Sequence, residues 1–194
     1  MKKSLKTRAI DAAFTVTKKA LSKAPKMGVV IAAGGTSSRM GGVNKLLAEI
    51  EGTPVLVMTL SAFSRSDAVS EIVVSANAKD MESVRALIRN YNIDMVKSVV
   101  EGGETRAESV YNGIGALSED VELIAIHDGA RPFITDAIIK KTYTAACEYG
   151  AAAPAVPVKD TIKIARNSFV GSTPDRSELF AIQTPQKAPT CITQ

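Results

Sequence analysis

From Met27 onward, short apolar runs alternate with segments of helical periodicity, and no other feature restricts the fold as tightly. MGVVIAA (27–33), EIVVSA (71–76), DMVKSVV (94–100) and LIAIHD (123–128) are compact runs of the kind that form buried parallel strands. Between them, TPVLVMTLSAFSR (53–65) places apolar residues at helical spacing after Pro54, a favourable first-turn proline. Asp80 is expected to cap a helix reaching Asn90, in which Met81, Val84, Leu87 and Ile88 recur three or four apart. TRAESVYNGIGALS (105–118) reads as a helix, and TDAIIKKTYTAACEYG (135–150) as another, capped by Thr135 and closed by Gly150. AAAPAVPVK (151–159) and TIKIA (161–165) read as extended segments whose prolines suit strand ends or edges. This alternation calls for an α/β layer fold with a mostly parallel sheet and right-handed crossovers.

The inventory excludes several chemistries. The 194 residues suffice for one large domain, and no apolar run approaches the ~18 to 20 residues of a membrane span. One His and two Cys leave little room for zinc sites, a disulfide framework or a nucleophile-His-acid triad, and suit a reducing cytoplasm. The net charge is +4, but residues 1–26 hold eight Lys or Arg against Asp11, a balance of +7 that leaves −3 for the rest. The body has no basic block with interleaved aromatics, so neither nucleic acid nor a stable membrane association is expected. Residues 1–26 read as a basic N-terminal extension with an amphipathic helix ended by Pro25, and also fit an organelle-targeting segment.

Polar residues gather where the strands end, the edge at which α/β sheets bind ligands. After the first strand comes AAGGTSSRMGG (32–42) and then Asn44-Lys45, a Gly/Ser-rich turn that can aim several backbone N–H groups at a polyphosphate. It is neither GxxxxGK[ST] nor GxGxxG. The third strand leads into EGGETRAES (101–109) and the fourth into HDGARP (127–132), so three strand ends each deliver Arg or Lys beside small residues, which favours an anionic ligand. Singly, Arg39, Arg106 or Arg131 reads as a surface salt bridge. His127, on the last turn of an apolar strand, reads as a packed core residue rather than a base, and alternation turns only one of His127 and Asp128 to the cleft.

The runs AAGGTSSRMGG…NK, GGETRAESV, HDGARP, PVKDTIK and TPDRSELFAIQTPQ, in this order over residues 27–186, resemble the 2-C-methyl-D-erythritol 4-phosphate cytidylyltransferases. The resemblance implies a Rossmann-like nucleotidyltransferase fold and a homodimer joined by a β-arm at about residues 153–176. It implies cytidylyl transfer from CTP to a polyol phosphate in non-mevalonate isoprenoid biosynthesis, with Mg²⁺. It assigns Arg39 and Lys45 to the triphosphate and transition state, and Ala33, Gly34, Gly35, Gly103, Glu104 and Ser109 to the cytidine pocket, with Arg106 in support. Asp128 and Arg131 fall where the sugar phosphate and the metal-bound phosphates are organised, Asp128 being the candidate ligand of a metal held mainly by phosphate oxygens. Thr161, Lys163 and Arg176 belong to the arm, Arg176 reaching the phosphate held by the neighbouring subunit. Ser37 replaces one glycine of the common loop pattern.

Past Gln186 the resemblance implies a further helix, a Thr-Asp motif and a strand carrying a lysine, whereas the sequence reads KAPTCITQ. Residues 187–194 are therefore expected to be a tail foreign to the family, with a sheet edge left open and the active site incomplete. Two rival readings are a D-ribitol 5-phosphate cytidylyltransferase and a truncated, inactive nucleotide-binding relative.

Overall fold

The computed structural model describes residues 24–35 and 45–190. Among these, β1 (Met27–Ala33), β4 (Glu71–Ala76), β5 (Val96–Glu101), β6 (Leu123–Asp128) and β11 (Gln186–Pro189) form a five-stranded sheet in the order β11-β6-β1-β4-β5. β1 pairs parallel with β4 and β6, and β5 parallel with β4; β11 alone runs antiparallel. The helices are α1 (Val55–Ser64), α2 (Met81–Asn90), α3 (Arg106–Gly115) and α4 (Asp136–Tyr149). Short pairs β2 (Glu49–Ile50) with β3 (Thr53–Pro54), β7 (Ala155–Pro157) with β10 (Phe180–Ile182), and β8 (Ile164–Arg166) with β9 (Phe169–Ser172) complete the order.

Strand alternation sorts β1 between two faces. Met27, Val29, Ile31 and Ala33 join Leu56, Leu60 and Phe63 of α1 with Ile72, Val74, Leu123 and Ile139 in the main core. Val30 faces the other way, with Val121 and Ile124 under Ile114 and Leu117. α3 crosses this second face so closely that a Cβ on Gly113 would stand 2.4 Å from Val30 Cγ1. Burial of a Leu, Ile or Phe of this kind contributes roughly 1.5–3 kcal/mol each, so both faces hold the sheet rigid beneath its loops.

The local signals act where they were expected, with instructive exceptions. Thr135 accepts from Ile138 N, and Gly150 closes α4 at φ +85°, a left-handed conformation suited to glycine. Asp80, expected to cap α2, makes no capping bond: a 3-10 turn starts at Ala78, so its backbone is already helical, and Asn77 caps instead by accepting from Lys79 N at 3.2 Å. The chain runs on into the sheet past the boundary expected at residue 186. Gln186–Pro189 pair with Leu123–Ile126, covering the edge of β6, and Lys187 is buried. The amphipathic helix expected over residues 1–26, together with Arg39, Ser37 and Cys191, lies outside the described residues, although Pro25 is described and its carbonyl accepts from Tyr143 Oη at 2.9 Å.

Candidate active site

Strand order places the site. From β1 the sheet grows through β4 to β5 on one side and then resumes with β6 on the other, so the crevice beyond the carboxyl ends of β1 and β6 is the switch point of the topology. A cavity of about 330 Å³ lies there, lined by Ala32 at the end of β1 and Gly34 and Gly35 after it, by Gly103–Arg106 and Ser109 at the start of α3, and by Asp128 at the end of β6.

The start of α3 is built to present its N-terminus. Thr105 Oγ1 accepts from Glu108 N at 3.1 Å while Glu108 Oε2 accepts from Thr105 N at 3.0 Å, a reciprocal cap. Ser109 Oγ accepts from Gly103 N at 3.1 Å and donates to Thr105 O at 2.9 Å, folding the preceding loop back onto the helix. Glycine is required at 103, where a Cβ would come within 2.2 Å of Glu108 Cβ. The positive end of the helix dipole and Arg106 therefore face the cavity together, a setting for an anion.

Asp128 organises the cations. Its Oδ1 accepts from Arg106 Nη2 at 3.0 Å and its Oδ2 from Arg131 Nε at 2.9 Å. Partial burial pushes the carboxyl up, but the two guanidiniums outweigh it and hold its pKa below the ordinary aspartate value. Each of its two oxygens is thus paired with an arginine. Among the described residues no group of three His, Cys, Asp or Glu is placed to hold a metal ion.

His127 is 1% exposed and packs edge-on to Phe63 at 4.8 Å between ring centroids. Burial pushes its pKa down to about 4, and because a carbonyl only accepts, its contact with Arg131 O at 3.2 Å assigns the ring proton to Nε2. It is the core residue the sequence suggested, and Asp128 is the member of the pair that faces the cleft.

Of the residues expected at the site, Gly34, Gly35, Gly103, Glu104, Arg106, Ser109 and Asp128 come together at the cavity. Ala33 does not: its side chain is in the main core, and Ala32, on the opposite face of β1, lines the cavity in its place. Strand alternation was the available signal for Ala32, and the cap pattern for Thr105. Arg131 reaches the site through Asp128 and also lines a neighbouring cavity of about 360 Å³ with His127, Phe133 and Thr184. Lys45 is half-buried. Thr161, Lys163 and Arg176 stand on the exposed arm, where Lys163 Nζ donates to Thr173 Oγ1 and Arg176 Nη1 to Lys159 O; none lines the cavity of its own chain.

The 2-C-methyl-D-erythritol 4-phosphate cytidylyltransferase family profile matches residues 27–193. The chain belongs to this family. The match runs through Lys187–Thr193, so the segment expected to be foreign lies within it. The relative from Geobacillus kaustophilus is 44% identical over 158 residues, 81% of this chain and 69% of its own. That from Halalkalibacterium halodurans is 45% identical over 159 residues, with the same two coverages. The solved 4-diphosphocytidyl-2C-methyl-D-erythritol synthase of Anaerococcus prevotii superposes with a TM-score of 0.76 at 30% identity, covering 89% of this chain and 74% of its own. The fold of this chain is that of the family, an α/β nucleotidyltransferase with a mostly parallel sheet.

Proposed function

We propose that this chain transfers the cytidylyl group of CTP to the phosphate of 2-C-methyl-D-erythritol 4-phosphate and releases pyrophosphate. The observation that carries the reading is the switch-point cavity, where the capped N-terminus of α3 and the Arg106–Asp128–Arg131 cluster meet a glycine loop, in a chain of this family.

A phosphomonoester is largely dianionic near neutral pH, so one of its oxygens attacks the α-phosphorus in line and the bond to the bridging oxygen breaks, with no proton to remove. A buried, neutral His127 is therefore no obstacle. Catalysis rests on positioning and charge: Arg39 and Lys45 neutralise the triphosphate, Arg106 and Arg131 the phosphates near Asp128, and Gly34, Gly35, Gly103, Glu104 and Ser109 frame the nucleoside. Mg²⁺ supplies charge neutralisation when bound with the nucleotide.

The arm supports a homodimer as the working form. Phe169 is 78% exposed and Val170 64%, and Val156, Ile164, Phe180 and Ile182 are also exposed, an apolar display that a second copy would cover. Thr161, Lys163 and Arg176 would then serve the partner's acceptor site. Among the described residues no helix is long and apolar enough to cross a membrane. The cytoplasm, suited to a chain with only two cysteines, is the proposed compartment. Pyrophosphate release from CTP, UTP or ATP with methylerythritol phosphate or D-ribitol 5-phosphate tests the reading: turnover confined to CTP and methylerythritol phosphate is expected, and preference for ribitol phosphate overturns the acceptor.

A further inference from the structure

The turn that carries Asp128 and Arg131 is held from below by two buried polar side chains that the proposed chemistry does not use. Thr59, in the middle of α1, has no exposed surface. A threonine in a helix commonly turns its hydroxyl onto the carbonyl one turn back, and Thr59 Oγ1 does lie 3.1 Å from Val55 O. Its shorter contact, 2.8 Å, is to Gly129 O, seventy residues away at the turn itself. His127 Nε2 donates to Arg131 O at 3.2 Å. Two further bonds finish the cradle: Gly129 N to Ala32 O at 2.9 Å and Arg131 N to Asp128 O at 3.1 Å. The turn also has no slack sideways, since a Cβ on Gly129 would stand 3.1 Å from Leu46 Cδ2 and 3.3 Å from Ala32 O. Valine would occupy the place of Thr59 without burying a hydroxyl, so the polar atom serves the turn rather than the core.

We propose that Thr59 and His127 are positioning residues that lock the Asp128–Arg131 turn so that Arg131, oriented by Asp128, meets the acceptor phosphate already in place. Neither lines the switch-point cavity; Thr59 is fully enclosed and His127 only 1% exposed, so they act through Gly129 and Arg131. The proposal rests on the functional reading above, which makes Arg131 an acceptor-side residue.

The test compares T59V, which keeps the branched shape and removes the bond, with T59S, which restores the hydroxyl. Steady-state pyrophosphate release and amide hydrogen exchange of residues 127–132 are measured on the full chain. T59V is expected to raise the KM for methylerythritol phosphate about tenfold, leave the KM for CTP within about twofold, and speed exchange in this turn alone; T59S is expected to match the parent. An unchanged acceptor KM with unchanged exchange overturns the proposal, as does equal weakening of both substrates with faster exchange throughout. If T59V does not fold, H127Q and H127L take its place: glutamine retains an N–H for Arg131 O and leucine does not, so only H127L should show the acceptor-selective loss. A parent chain that releases no pyrophosphate would refute the functional reading, and the exchange comparison would still decide whether these residues lock the turn.

Discussion

Asp128 Oδ1 receives Arg106 Nη2 at 3.0 Å, and this one ion pair ties the end of β6 to the first turn of α3 across the mouth of the cavity. The same carboxylate takes Arg131 through its other oxygen, so one negative charge orients two positive ones that arrive from different strand ends. The phosphates of two substrates would meet guanidiniums whose positions are already set.

Asp128→Asn removes the charge and keeps the shape. It is expected to lower kcat/KM for the acceptor by about 10² or more, because preorganised charge at a phosphoryl site contributes a few kcal/mol. Both arginines are about half-exposed, so the melting temperature should move little, in keeping with surface pairs worth about 0–1 kcal/mol. Pyrophosphate release and thermal melts check the two halves; near-parent turnover would take Asp128 out of the site.

Gly103→Ala places a Cβ 2.2 Å from Glu108 Cβ, a clash that the loop relieves only by leaving the α3 cap. CTP affinity, read by calorimetry with Mg²⁺, should fall at least tenfold, at a stability cost of about 1–3 kcal/mol from overpacking. Undiminished CTP binding would separate this loop from the nucleoside pocket.

Lys187 sets a pH dependence. Burial pushes its ammonium down to about 7, while Nζ donates to Ile139 O at 2.5 Å and lies 5.9 Å from the Tyr143 ring centre. Between pH 7 and about 10.5 the unfolded chain therefore binds the proton that the folded chain has lost, and stability rises with pH across this window. Urea titrations at pH 7 and 9 should show that rise, about 2 kcal/mol if the native value is 7, and Lys187→Met should flatten it. His127 acts in the same sense lower down: with its native value near 4 against 6.5, stability falls as pH drops from about 6.5 toward 4.

Mixing Arg176→Ala with Lys45→Ala tests the shared site. If the arm of one subunit completes the acceptor site of the other, a mixed dimer holds one site with both residues intact, and activity should recover to about a quarter of parent after subunit exchange. No recovery in a mixture shown by mass spectrometry to contain mixed dimers would mean that each chain uses its own Arg176.

The sequence by itself determined the local elements and the chemistry gathered at their ends. β1, β4 and β6 appear at the expected residues, and the caps at Thr135 and Gly150 act as predicted, because apolar period, caps and glycine conformation are properties of a few neighbouring residues. Whatever depends on which face meets which neighbour was decided by tertiary structure. Ala33 entered the core and Ala32 the cavity because α3 covers one side of β1 and leaves its end open. Lys187 became a buried residue because β11 adds antiparallel to β6 beside α4, a pairing between segments sixty residues apart that no local pattern records. The hydroxyl of Thr59 gained its distant partner only when α1 was set against the turn at Gly129. Local energetics chose the elements; packing over long separations chose which of their side chains meet the ligand.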